Sequence, residues 1–298
     1  MPNKRTLPKS DKPLLVITGK YQNGKSTFLN CLLGGHYAVE GKGLVTTKYN
    51  AKYYFGDCRT MRIVLPGRAG ENKFHQLQPD TFSPDNSLAE YDKDARLEIS
   101  VYSPLLEYFD LLDSPGCGAN DADDSVAEIA LSMADFVVFI VQKEICDTEL
   151  SFIKKIVAAG KHFSVILNCQ DELAPDSEQA QNIVRTVYAK MRNNGVLGNY
   201  VALSKEHPVY PVNLLWAQCA LGYLEPDIYK QKLRKVCNYL DAKYVSPIDL
   251  LKISNFLSVR GNLKNIVGTF FEYTPHRDLH LLKNIANNWT VELAKIWR

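Results

Sequence analysis

Short apolar runs alternate with longer mixed stretches along this chain, and strand-like runs fall at residues 14–18, 51–55, 108–112, 136–141, 163–168 and 209–212. Helix-like stretches separate most of them. This alternation predicts an α/β fold built on a doubly wound, mostly parallel sheet. Phe136-Val137-Val138-Phe139-Ile140-Val141 and Phe163-Ser164-Val165-Ile166-Leu167 are almost continuously apolar, so helices should cover both faces of those strands. Between residues 56 and 97 the pattern weakens into Pro, Gly, Asn and Asp, which reads as a loop or ribbon insertion, partly mobile. Beyond residue 225 strand signals stop, and helix-like pieces follow at 228–239, 259–271 and 278–297. In the last piece Leu282, Ile285, Trp289, Leu293 and Ile296 recur at three- and four-residue steps and form one apolar stripe. Few positive charges share its polar face, which favours docking on its own domain or on a partner helix over lying on a membrane.

Composition narrows the classes. With 298 residues, 46% of them apolar and 23% charged, the chain can bury one large α/β core and carry a small helical appendage. Lys and Arg number 35 against 33 Asp and Glu, so no global field attracts nucleic acid, and no nucleic-acid partner is predicted. The basic stretch Lys230-Gln231-Lys232-Leu233-Arg234-Lys235 reads as a solvated helix face. No apolar run approaches the roughly twenty residues needed to span a bilayer, and residues 1–13 lack a hydrophobic signal core, which predicts a cytoplasmic protein. The seven cysteines (Cys31, Cys58, Cys117, Cys146, Cys169, Cys219, Cys237) form no CxxC pair, so reduced thiols are expected and a zinc site is not.

The chemistry concentrates in five places. Gly19-Lys20-Tyr21-Gln22-Asn23-Gly24-Lys25-Ser26 follows the first strand-like run, and a helix-like segment, 26–33, follows it in turn. Gly19 and Gly24 let the backbone curl so that N–H groups around Tyr21, Gln22, Asn23 and Thr27 face a phosphate, aided by the positive end of the helix. Lys25 would reach the β- and γ-phosphates and the Ser26 hydroxyl would take a Mg²⁺ position. Asp113-Ser114-Pro115-Gly116 ends the third strand-like run, where Asp113 can hold Mg²⁺ through water and the Gly116 N–H can meet the γ-phosphate. Ahead of the second run lies Gly43-Leu44-Val45-Thr46-Thr47; Thr46, or failing it Thr47, would complete the metal's coordination and touch the γ-phosphate. Asn168-Cys169-Gln170-Asp171 follows the fifth run, where an Asn/Thr-Lys-x-Asp sequence reads guanine: the Asp171 carboxylate would accept from N1–H and the 2-amino group, donors that adenine lacks. Cys169 departs from that pattern, since a lysine there lays its stem along the base. The fifth place is Asn213, whose backbone N–H would contact the guanine O6.

In this order the motifs resemble the GTPase fold, and several details resemble its dynamin-like branch. They are the continuation GKSTFLNCLLGG, the double threonine before 48–56, the stretch Val101-Tyr102-Ser103-Pro104-Leu105-Leu106, and the run from DSPGCGAND to ADFVVFIVQ. The resemblance covers roughly residues 12–270. It implies a flexible N-terminus at 1–12, a GTPase domain at 13–270 with its insertion at about 56–97, and an amphipathic C-terminal helix at 271–298. It further implies GTP hydrolysis to GDP with Mg²⁺, self-association as a nucleotide-dependent homodimer or pairing with a stalk-bearing relative, and a peripheral membrane link. The long stalk of the family finds no counterpart in the roughly twenty-five residues after 270.

For mechanism, the residues predict in-line attack of water on the γ-phosphate, with Lys25 and loop N–H groups neutralising developing charge. Ras-like enzymes place a water-orienting Gln after the Asp-x-x-Gly glycine; here Cys117 stands there, leaving Gln22, Asn23 or the Thr46 carbonyl to orient the water, after a second molecule closes the site. Three other readings stay open: a GTP-binding switch or scaffold with little hydrolysis, a P-loop ATPase or kinase, and an RNA- or ribosome-associated GTPase.

Overall fold

The computed structural model describes residues 12–38, 49–66, 72–77, 95–117, 121–170, 173–205, 207–222, 226–240 and 245–272. The helix expected at 278–297 lies outside them, as do most of the N-terminal segment and the threonines Thr46 and Thr47 and the base-reading Asp171.

Among the described residues nine strands form one mixed sheet, in the order β4-β3-β5-β2-β6-β1-β7-β8-β9. The strands are β1 (Leu14–Gly19), β2 (Asn50–Phe55), β3 (Thr60–Pro66), β4 (Asn72–Leu77), β5 (Arg96–Val101), β6 (Asp110–Asp113), β7 (Phe136–Val141), β8 (His162–Asn168) and β9 (Tyr210–Val212). The run β6-β1-β7-β8-β9 is wholly parallel; β2 meets β6 antiparallel, and β5, β3 and β4 extend that side. Because β6 begins at Asp110, the residues Tyr108 and Phe109, expected in the strand, instead follow a 3₁₀ turn at Pro104–Glu107. Pro104 opens that turn, where its fixed φ and missing N–H cost nothing.

The stretch 56–97 contains secondary structure of its own. There β3 and β4 pair from Met61↔Leu77 to Pro66↔Asn72 as an antiparallel hairpin, and β5 inserts between β3 and β2.

The helices are α1 (Lys25–Leu33), α2 (Asp121–Met133), α3 (Asp147–Ala158), α4 (Glu178–Asn193), α5 (Leu214–Leu221), α6 (Pro226–Tyr239), α7 (Pro247–Ile253) and α8 (Phe256–Glu272). They divide between the two faces of the sheet, which is why β7 is buried at every position. On one face Ile17, Val138 and Ile140 pack with Phe28, Leu29 and Leu32 of α1, Trp216 of α5 and Phe256 of α8. On the other, Val16, Val137 and Phe139 pack with Ala130 of α2, Phe152 and Ile153 of α3 and Val184 of α4. Strand direction puts the carboxyl ends of β6, β1, β7, β8 and β9 at one edge, and among the described residues the segments leaving that edge hold Gly19 to Lys25, Gly116, Asn168 and Asn213.

Candidate nucleotide-binding site

Gly19 ends β1 and Lys25 begins α1, and the loop between them makes three left-handed turns, at Gly19 (φ 144°), Gln22 (φ 66°) and Gly24 (φ 92°). Gly19 is required for packing as well as for φ, since a Cβ there would collide with the Ile140 carbonyl oxygen of β7. A Cβ at Gly24 would come within 2.5 Å of Asn168 Nδ2. The Gly24 carbonyl accepts from Phe28 N at 2.8 Å and starts α1, so the helix's positive end opens onto the loop.

Lys25 is buried, and its ammonium donates to the Lys20 carbonyl oxygen at 3.1 Å across the loop. The Ser26 hydroxyl donates to Asp113 Oδ2 at 3.2 Å, joining the start of α1 to the end of β6. Past Asp113 the chain lies along the glycine loop: the Ser114 hydroxyl donates to the Ile17 carbonyl at 3.1 Å and Cys117 N to the Gly19 carbonyl at 3.2 Å. Gly116 is pressed so closely that an added Cβ would stand 2.7 Å from Tyr21 N and 3.1 Å from Lys25 Nζ. Thus Gly19, Tyr21, Gln22, Asn23, Gly24, Lys25, Ser26, Asp113 and Gly116 come together. Thr27 follows in the first turn of α1, half-buried.

Asn168 at the end of β8 is a strut: its Nδ2 donates to the Asn23 carbonyl at 3.1 Å while its Oδ1 accepts from Leu214 N at 3.4 Å. Two residues sit otherwise than the sequence suggests. The Asn213 backbone N–H is committed to the Ser254 carbonyl at 3.0 Å, its side chain caps α5 by accepting from Trp216 N at 3.0 Å, and the residue is fully buried. A contact between that N–H and a base would break a buried hydrogen bond, so Asn213 is a helix cap. The Asn23 amide is turned inward, donating at 2.8 Å both to the Ile140 carbonyl and to Glu149 Oε1. It shapes the loop from behind.

Several contributors were invisible in the sequence. Gln142, just after β7, donates through Nε2 to the Gln22 carbonyl at 2.6 Å and accepts from Gln170 Nε2 at 2.9 Å. Glu149 is buried beneath the loop. The one signal available for Glu149 was its place three residues after Cys146, as in a capping box, but a cysteine at the cap position hides it. Cys117 and Cys169 are both buried, and burial pushes each thiol up to about 12. Cys169 belongs to the core on the α2–α4 face, so it does not lie along a base as a lysine would.

The oxygens of Ser26 and Asp113 suit a hard divalent cation that keeps waters and phosphate oxygens as its other ligands. Among the described residues no cluster of three or more His, Cys, Asp or Glu could hold a metal ion.

A glycine loop joining the central strand of a doubly wound sheet to a helix defines a P-loop domain. The dynamin family's sequence model matches residues 15–170, and the chain belongs to that family as a dynamin-like GTPase domain. Dynamin-like protein 2 of Campylobacter jejuni is 24% identical over 298 residues, covering 94% of this chain and 48% of the relative. A probable transmembrane GTPase, FZO-like, chloroplastic, of Arabidopsis thaliana is 24% identical over 189 residues, covering 61% of this chain and 18% of the relative. Among solved structures, an oligomerised bacterial dynamin pair described as sensing and tethering membranes at long range superposes with a TM-score of 0.54 at 16% identity, over 95% of this chain and 55% of that one. The chain therefore spans about half, or less, of the length of the curated relatives it matches. Among the described residues no helix is long and apolar enough to cross a membrane.

Proposed function

We propose that the chain binds Mg²⁺·GTP and hydrolyses it to GDP and phosphate. The observation that carries this reading is the convergence of Lys25, the Ser26–Asp113 pair and Gly116 on one glycine loop at the carboxyl end of β1. Lys25 and the N–H groups at the start of α1 would neutralise charge on the transferring phosphoryl group, and the Gly116 N–H would sense the γ-phosphate. Ser26, Asp113 and Thr46 would hold Mg²⁺, which supplies charge neutralisation on the β- and γ-oxygens. Asp171 would read the guanine edge, and Asn168 braces the phosphate loop against α5. With the Asn23 amide engaged elsewhere and a thiol at position 117, Gln22 and the Thr46 backbone carbonyl remain to orient the attacking water. Residues 13–270 would constitute the GTPase domain. It would associate, when nucleotide-bound, with a second copy or a stalk-bearing relative at the periphery of a membrane, as the names of the structural neighbours suggest.

A second reading is a GTP-binding switch with little turnover, favoured by the same committed Asn23 and by Cys117 where a water-orienting side chain would help. Binding of GTP and ATP, measured with phosphate release in the presence of Mg²⁺, separates the readings. GTP-only turnover supports hydrolysis, tight GTP binding without turnover supports the switch, and ATP turnover overturns the role given to Asp171.

A further inference from the structure

The glycine loop receives a nucleotide only if its N–H groups already face the phosphates, and this loop holds that shape with a non-glycine residue in the left-handed region, Gln22 at φ 66°. Four neighbours hold it there. Gln142 grips the Gln22 carbonyl at 2.6 Å and Asn168 grips the Asn23 carbonyl at 3.1 Å. The Asn23 side chain is pinned at 2.8 Å to both the Ile140 carbonyl and Glu149 Oε1.

Glu149 differs from the other anchors in charge and in depth. It is 4% exposed, a carboxylate in the first turn of α3, with Oε2 accepting from Cys146 N at 2.8 Å. That bond is the Glu149 half of a capping box at the helix start. Oε1 instead reaches a residue 126 positions away in sequence, across the base of the phosphate loop. A buried carboxylate is tolerated when its oxygens meet donors, as both of these do.

We infer that Glu149 is a positioning residue for nucleotide binding, acting through Asn23 to hold the phosphate loop open before GTP arrives. This inference rests on the GTP-binding reading above. Reach, rather than charge, is its content, and reach and charge can be separated. Glu149→Asp keeps the charge and the favourable place at the helix start but withdraws the carboxylate by one methylene. Glu149→Gln keeps the reach and an acceptor oxygen for Asn23 but discards the charge.

The experiment is titration of wild type, Glu149→Asp, Glu149→Gln and Asn23→Ala with Mg²⁺·GTP by calorimetry, alongside thermal unfolding of each nucleotide-free protein. Glu149→Asp should lose about tenfold in GTP affinity, and Glu149→Gln should stay within about threefold of wild type. In an Asn23→Ala background, Glu149→Asp should cost nothing further, because the intermediary is gone. The opposite ranking, with Asp like wild type and Gln impaired, would show a capping charge and overturn the inference. So would losses that multiply in the double variant, or losses that follow melting temperature alone. Absence of GTP binding by the wild-type chain would instead overturn the nucleotide reading itself, and this inference with it. Wild-type binding left unchanged by Glu149→Asp overturns only the role of Glu149.

Discussion

A buried ammonium at the positive end of a helix stands in an unfavourable field unless an anion shares the site. Lys25 is 7% exposed, at the first residue of α1, and its ammonium donates to a carbonyl oxygen at 3.1 Å. A phosphate in the loop would give it a charge-assisted partner. Lys25→Met keeps most of the volume and removes the charge, so Lys25→Met should not bind GTP in calorimetry while still folding. A marked fall in melting temperature would make Lys25 a structural lysine. The two site cysteines give a second expectation. Burial holds the Cys117 and Cys169 thiols at about 12, so neither forms thiolate near neutrality, whereas Cys58 is exposed. Iodoacetamide at neutral pH should modify Cys58 and leave Cys117 and Cys169 intact in the peptide map; early labelling of Cys117 would mean that the loop after β6 opens in solution. At this scale the sequence pointed to residues whose type is dictated by backbone shape, such as Gly19 and Gly24. It did not reveal Glu149, or the inward turn of Asn23, because those roles depend on a partner more than a hundred residues away.

At the scale of elements, β1, β7 and β8 were legible because both their faces are covered and their sequences are accordingly largely apolar. The β3–β4–β5 side was obscure because its strands carry ions. Met61, Ile63 and Leu65 do alternate along β3, but Arg62 between them, and Arg96 and Glu98 in β5, dilute the signal. Those charges are paired: Arg62 Nε and Nη2 donate to Glu98 Oε2 at 2.9 and 2.6 Å, and Arg96 Nε and Nη2 donate to Oε1 at 2.9 and 2.8 Å. Burial pushes the Glu98 carboxyl up, but the guanidiniums of Arg96 and Arg62 outweigh it and hold the carboxyl below its ordinary value. A carboxylate depressed in the folded state contributes stability above its unfolded pKa and loses it as pH falls through the folded one. The difference in melting temperature between wild type and Glu98→Gln should therefore be widest near neutrality and close as pH drops through the carboxylate range. A difference that stays constant from pH 7 to pH 3 would show that shape, and not charge, makes the contact.

For the molecule as a whole, the two cores explain why the fold class could be read before the site. Alternating apolar strands and amphipathic helices admit few arrangements, and the glycine loop then falls at the only kind of edge where such sheets bind phosphates. Assembly is a different matter, since it depends on surfaces that periodicity does not mark. The site argues for it through chemistry. In-line hydrolysis needs a water held against the γ-phosphate, yet the residue after Gly116 is a buried, neutral thiol, and Asn23 is tied to Ile140 and Glu149. Gln22 is exposed, and a second molecule, if it packed there, would restrict its side chain and exclude bulk solvent. If pairing completes the site, phosphate release per molecule should climb with protein concentration and then level off where the pair saturates. Gln22→Ala should lower that plateau without moving the concentration at half-rise, because the side chain acts after association. Constant specific activity from nanomolar to tens of micromolar protein would mean that each chain carries a complete site, and Gln22 would then have to orient the water unaided.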